Sequence, residues 1–331
     1  MLYKDLHLIS APLQKFMQTP ITSKDPVVID LNFVTEIENG LLPQSASISP
    51  KFLYDPLGSH LFTAITLLPE YYPTNTEKYI FTKYQDQIAV AVGFGGTLID
   101  LGAGNCQKAE SFFNVLKPSS YLAIDFSAEY LQDALNKLQG KYPHIKMQCI
   151  GMDFSKQLTI PNTIPAINRT FLYPGSSIGN FLHLEALELL MQMKKQAHDG
   201  GLLIGVDLMK EDSILMTAYD DPLKVTAAFN LNILRSINSH LGSNFRVEQF
   251  RHKVIINHAE NRVELYLEAL EDLIVSWPGN SRIFKKGELI HTENSHKYTI
   301  ESIKQLLKNA GFETAQIWTD PKDYFAVIYA R

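Results

Sequence analysis

The chain carries only two cysteines, Cys106 and Cys149, among 331 residues, and neither sits in a C-x-x-C or Cys/His ligand spacing. That scarcity argues against a disulfide framework and against structural zinc. No metal site is expected. Long apolar runs are also missing, and the first residues, with Asp5, His7 and early prolines, lack the basic segment and apolar h-region of an export signal. The cytoplasm is the expected compartment, with no membrane partner. Positive charge is in deficit: the formal net charge is −5, and the lysines are scattered instead of clustered, so no footprint for nucleic acid is present. What is plentiful is core material, at 45% hydrophobic residues and 20% charged ones. These proportions suit a globular protein with a large core, a small-molecule partner and no obligate protein partner.

Residues 97–104 read Thr-Leu-Ile-Asp-Leu-Gly-Ala-Gly, an apolar run that ends in an acid and a glycine pair. Leu98, Ile99 and Leu101 suit a strand covered on both faces, and Gly102 and Gly104 let backbone approach a ligand where a side chain would collide. About twenty residues later a second strand pattern, Tyr121 to Asp125, again ends in a carboxylate, the placement of an acid that binds ribose hydroxyls. A third glycine is absent, since Gln107 and Lys108 stand where G-x-G-x-x-G needs one, which argues against nicotinamide cofactors. The order Asp-Leu-Gly-Ala-Gly, Asp125, then Met152-Asp153-Phe154 resembles the S-adenosylmethionine site of Rossmann-like methyltransferases. The resemblance implies that Asp125 holds the ribose, that Asp153 and Phe154 flank the adenine, and that Gly102, Ala103 and Gly104 face the methionine moiety.

Helical spacing recurs over residues 30–39, 58–68 and 77–92, and residues 1–30 read as an ordered arm or short strand. From residue 97 strand and helix alternate up to residue 207, which implies an α/β fold with a mostly parallel sheet covered by helices on both faces. The rhythm then breaks. A long helical pattern interrupted at Pro222 and a meander of alternating strands over residues 245–275 suggest a mixed α+β substrate cap. A helix over residues 300–310, closed by Gly311, and two last strands complete a seven-stranded sheet. The expected division is a Rossmann-like core at 76–208 and 292–331, with a cap at 1–75 and 209–291.

Three polar segments are difficult to explain as scaffold. The run Leu-Pro-Glu-Tyr-Tyr-Pro-Thr at 68–74 reads as a rigid, non-helical link, because two prolines bracket the tyrosines. Pro174-Gly-Ser-Ser-Ile-Gly-Asn180 follows the fourth strand, where an open sheet meets ligands, although Asn180 also suits the N-cap of the next helix. Thr292-Glu-Asn-Ser295 lies at the return from cap to core. With Phe52-Leu-Tyr-Asp55 and Ala218-Tyr-Asp-Asp221, these segments resemble the L-histidine Nα-methyltransferase family of ergothioneine biosynthesis from about Lys51 onward. The resemblance implies a methyltransferase that uses S-adenosylmethionine to convert histidine to its Nα-trimethyl betaine. Asn180 and Tyr219 would hold the α-carboxylate as neutral ligands, with no cation to oppose the sulfonium. Tyr54 would stand near the α-amine, Tyr71, Glu293 and Ser295 would address the imidazole, and Lys108 would reach toward the cofactor. The family commonly has a methionine where this chain has Leu265, beside the substrate ring. Relatives acting on tryptophan derivatives share the scaffold, so another amino acid is the alternative substrate, and a non-catalytic cofactor-binding module is the alternative class. Glu293 favours histidine. His183, His291 and His296 have no metal-site spacing.

Overall fold

The computed structural model describes residues 31–126, 128–166 and 168–331. The arm expected over residues 1–30 lies outside them. The front section contains helix α1 (Leu31–Leu41), the short strand β1 (Ala46–Ser47), a 3₁₀ turn (Pro50–Leu53) and helix α2 (Pro56–Ile65). Asp55 caps α2 by accepting from the Gly58 N–H at 2.6 Å, with Pro56 at the first helical position, where its missing N–H costs nothing.

The sequence predicts one helix over 77–92 preceded by a non-helical link; the structure instead has two helices, α3 (Tyr72–Lys83) and α4 (Gln85–Val92), broken at Tyr84. Pro73 explains the difference at the front, because proline is accepted in a first helical turn and so does not hold the tyrosine pair outside the helix. The expected domain boundary at residue 75/76 therefore falls inside α3.

Next come β2 (Thr97–Leu101), α5 (Gln107–Leu116), β3 (Ser120–Asp125), α6 (Ala128–Lys141), β4 (Lys146–Gly151), β5 (Arg169–Tyr173), α7 (His183–Ala197) and β6 (Gly201–Asp207). Helices α8 (Asp212–Tyr219) and α9 (Val225–Leu241) lead to β7 (Phe250–Asn257), β8 (Arg262–Ala269), β9 (Leu273–Trp277), β10 (Asn280–Phe284) and β11 (Leu289–His296). Helix α10 (Ile300–Asn309), β12 (Ala315–Thr319) and β13 (Phe325–Ala330) end the chain.

The large sheet has the order β12-β13-β6-β5-β2-β3-β4, parallel except for β13, which runs antiparallel to both of its neighbours. Strand side chains alternate between its faces. Ile99 and Leu101 join Leu189 of α7 and Ile303 of α10 on one face, whereas Leu98 joins Ile80, Ile88 and Phe112 of α3, α4 and α5 on the other. Every residue of β2, β5 and β6 is buried, as central parallel strands require, while the edge strand β4 is half open. From β2 the chain winds outward through β3 to β4, then crosses back to β5 on the other side of β2. The loops after β2 and β5 thus diverge, leaving a crevice at their carboxyl ends where open α/β sheets bind ligands.

A second sheet, β1-β11-β8-β7, packs against α1, α2 and α9 and the hairpin β9-β10 around its own apolar cluster, which includes Phe52, Phe229, Ile233 and Trp277. A smaller cluster packs Val263 and Leu265 of β8 against Leu215 and Tyr219 of α8 and Tyr72 of α3. Strand β11 runs across the expected boundary at residue 292 and stays paired with β8 to its end.

Candidate active site

The turn after β2 is built for close approach. Gly102 and Gly104 take φ of +67° and +52°, a left-handed conformation unfavourable for other residues, and nothing lies within 4 Å of where a Cβ would stand on either. The Gly102 and Ala103 N–H groups donate to the Ile124 carbonyl, and the Gly104 N–H donates to Asp125 Oδ2 at 2.9 Å. Asp125 is thereby fixed at the end of β3 beside the open glycine turn. These residues fit an adenosyl cofactor: a bare backbone cradle, then a half-buried carboxylate one strand over. Asp153 lies farther along, bound to Lys51 Nζ at 3.1 Å and to the Ser155 hydroxyl. Phe154 stands edge-on to Tyr173 at 6.1 Å. Lys108 does not project freely from the turn; its ammonium pairs at 2.6 Å with the buried Glu77, whose other oxygen accepts from the Gly175 N–H. Glu77 went unnoticed in the sequence, where an acid inside a helix reads as solvated. Here it joins the glycine turn to the loop after β5.

One cavity opens beside that loop, and Tyr54, Tyr71, Asn180, Tyr219, Leu265, Glu293 and Ser295 all line it. They come from elements far apart in the chain. Tyr54 ends the 3₁₀ turn Pro50–Leu53, Tyr71 precedes α3, and Asn180 ends a second 3₁₀ turn, Ser177–Asn180. Tyr219 ends α8, Leu265 lies on β8, and Glu293 and Ser295 lie on β11. A register shift between His291 and Glu293 leaves Thr292 as an extra residue whose hydroxyl donates to the Leu265 carbonyl. Such a bulge re-aims the side chains that follow it, and Glu293 and Ser295 face the cavity together.

Asn180 is not a helix cap: α7 begins after Leu182, and the Asn180 side chain donates to Glu293 Oε1 at 3.0 Å. Burial pushes the Glu293 carboxyl up to about 7, against the opposing pull of Lys297 and Asn180. The phenols of Tyr54, Tyr71 and Tyr219 are held well above their ordinary value, chiefly by burial, so they stay protonated. Aromatic walls close the rest, with Tyr54 edge-on to Phe62 and Phe229 at 5.6 Å each.

The expectation of a cation-free site is overturned. Buried Lys297 donates to Tyr219 Oη at 2.8 Å and to Ser295 Oγ at 2.6 Å, and pairs with Asp207 Oδ2 at 2.8 Å. Asp207 also takes Lys210 at 2.6 Å and the Tyr72 hydroxyl at 2.7 Å. Burial disfavours its charge, but the two ammonium groups outweigh that and hold it below the usual carboxylate range. The sequence did carry a signal for Lys297: it follows Glu293 and Ser295 at intervals of two, one face of an extended segment. His291 Nε2 is bonded to Asn294 and His296 Nδ1 to the Gly179 carbonyl, which gives each a structural partner.

A doubly wound sheet with an open glycine turn at its switch point and a carboxylate at the end of the next strand, roofed by a second sheet that encloses a polar cavity, defines a Rossmann-like methyltransferase that uses S-adenosylmethionine. More narrowly, the chain belongs to the family of S-adenosylmethionine-dependent, histidine-specific methyltransferases, whose family model matches residues 33–331. It is 33% identical over 303 residues to the histidine N-alpha-methyltransferase of Mycolicibacterium smegmatis, covering 89% of this chain and 93% of that one. The histidine N-alpha-methyltransferase of Mycobacterium tuberculosis is 32% identical over 311 residues, with coverage of 89% and 93%. Ergothioneine biosynthesis protein 1 of Neurospora crassa is 29% identical over 340 residues, which span 98% of this chain and 38% of that longer protein.

Proposed function

We propose that this cavity binds L-histidine with its α-amine toward the glycine turn, and that the chain methylates that amine, repeatedly, to the trimethylammonium betaine. S-adenosylmethionine, when bound, supplies a methyl group on a sulfonium, an electrophile for in-line attack by an amine. Gly102, Ala103, Gly104, Asp125, Asp153, Phe154 and Lys108 would hold it. Asn180 and Tyr219 take the α-carboxylate, Tyr54 stands by the amine, and Tyr71, Glu293 and Ser295 read the imidazole, with Leu265 packed beside the ring.

One observation carries the reading: hydrogen-bonding groups for both ends of an amino acid converge in one cavity next to the loop that contacts Lys108 and Glu77. Free α-amines titrate near 8, so part of the substrate enters with a neutral amine and alignment supplies much of the rate. The protonated phenols orient rather than deprotonate. Tyr54, Phe62 and Phe229 form a wall suited to a methylated ammonium through cation–π attraction. The same reading assigns α1, α2, α8, α9, the second sheet and the hairpin β9-β10 to a substrate cap, with its end at Lys297. The test is incubation of the protein with S-adenosylmethionine and a panel of amino acids, followed by mass spectrometry. Histidine should gain up to three methyl groups, all on the α-nitrogen. Methylation of the ring, or no histidine turnover, refutes the assignment.

A further inference from the structure

The Lys297 ammonium has three protons, and all are committed: to Asp207 Oδ2, Tyr219 Oη and Ser295 Oγ. Tyr219 Oη and Ser295 Oγ lie 2.7 Å apart, so one of them donates to the other. The two hydroxyls hold two protons, of which one is spent on that mutual bond and one is left for the cavity both residues line. Reading an amino acid from both ends needs two, one for the carboxylate at Tyr219 and one for a ring nitrogen at Ser295. Turning both protons outward would ordinarily leave two oxygens facing each other with lone pairs only. Lys297 removes that obstacle, because it donates to each oxygen from behind.

We propose that Lys297 is a positioning residue that releases both hydroxyls, so that Tyr219 and Ser295 donate to the substrate at the same time. The proposal rests on the substrate placement given above. Asp207 anchors the ammonium, and Lys297 itself stays out of the cavity, so it acts only through the two hydroxyls.

The test is a mutant cycle read in the KM for histidine, with S-adenosylhomocysteine affinity and thermal melting as checks on folding. Lys297→Met, which keeps the length and removes the donors, should raise the KM about ten-fold or more with cofactor affinity unchanged. In a Tyr219→Phe/Ser295→Ala background the same replacement should change the KM less than about two-fold, since no hydroxyls remain to be released. Equal factors in the two backgrounds overturn the proposal, because Lys297 would then act through the fold. Should Lys297→Met lose cofactor binding, the hydroxyls decide alone. Independent donors predict that the KM factors of Tyr219→Phe and Ser295→Ala multiply in the double variant, and a double variant no worse than its worse parent overturns the proposal. If instead the double variant keeps the wild-type KM, the substrate placement itself fails, and the proposal with it.

Discussion

Glu293 concentrates the residue-scale chemistry. Its carboxyl is buried beside Asn180, and burial raises it to about 7. If it accepts the imidazole N–H, Glu293→Ala should cost histidine about 1–3 kcal/mol in kcat/KM, the range for losing a hydrogen bond with a charged partner. Activity on tryptophan relative to histidine should rise, because the space opens beside the apolar Leu265. The ratio of kcat/KM for the two amino acids, in variant and wild type, checks this. A constant ratio would mean that Glu293 does not read the ring. The same group makes stability depend on pH. A carboxyl raised by folding binds its proton more tightly in the native state, so its stabilising contribution is full below the unfolded value near 4.3 and is lost as pH rises through about 7. Glu293→Gln removes that loss and can still accept from Asn180. Its stability relative to wild type should therefore increase between about pH 5 and about pH 8, by at most about 3 kcal/mol, in urea melts at the two values.

At the scale of elements, the site depends on how closely the turn Ser177–Asn180 sits on β11. A Cβ on Gly179 would stand 2.9 Å from the His296 carbonyl oxygen and 3.1 Å from its nitrogen, so the turn must shift to admit a methyl group. Gly179→Ala should carry Asn180 away from Glu293, raising the KM for histidine several-fold at a stability cost of roughly 1–3 kcal/mol. The glycine turn after β2 lies elsewhere, and titration with S-adenosylhomocysteine should show unchanged affinity. Loss of cofactor binding would show that the disturbance is global. The bulge at Thr292 is the other element-scale device, since every side chain after it depends on that one extra residue.

For the whole molecule, the two sheets are joined around Asp207. This residue ends β6 of the large sheet, and it receives Lys210, Lys297 from just beyond β11, and the Tyr72 hydroxyl from the start of α3. The side chains of Asp207, Lys210 and Lys297 are all at most 2% exposed. Asp207→Asn leaves two buried ammonium groups without their counter-charge, and breaking such a cluster typically costs about 3–5 kcal/mol. The thermal midpoint should fall by several degrees at neutral pH, and histidine affinity should fall with it, because Lys297 loses its anchor. A variant that melts with the wild type would show that the Asp207 ion-pair cluster does not hold the two sheets together. A second bridge, Lys51 with Asp153 and Glu36, ties the front section to the segment after β4. No helix among the described residues is long and apolar enough to cross a membrane.

The sequence by itself determined the parallel sheet and the open glycine turn after β2. Buried strands such as β3 and β6 are carried by short apolar runs, Tyr121 to Ile124 and Leu202 to Val206, and the Gly102 and Gly104 conformations are ones glycine adopts most readily, so both signals are local. The break at Tyr84 was hidden because both halves carry helical spacing, and the helical start at Tyr72 was hidden because proline stops a helix in its interior but suits its first turn. The seven cavity residues were singled out by motif, yet only the tertiary structure brings Tyr54, Asn180 and Glu293 to one cavity, through the switch point and the Thr292 bulge. It alone decided the charge of the site. Lys297 and Asp207 are 90 residues apart, and a buried ion pair has no sequence period, because its energy depends on desolvation and geometry that exist only once the two sheets have met.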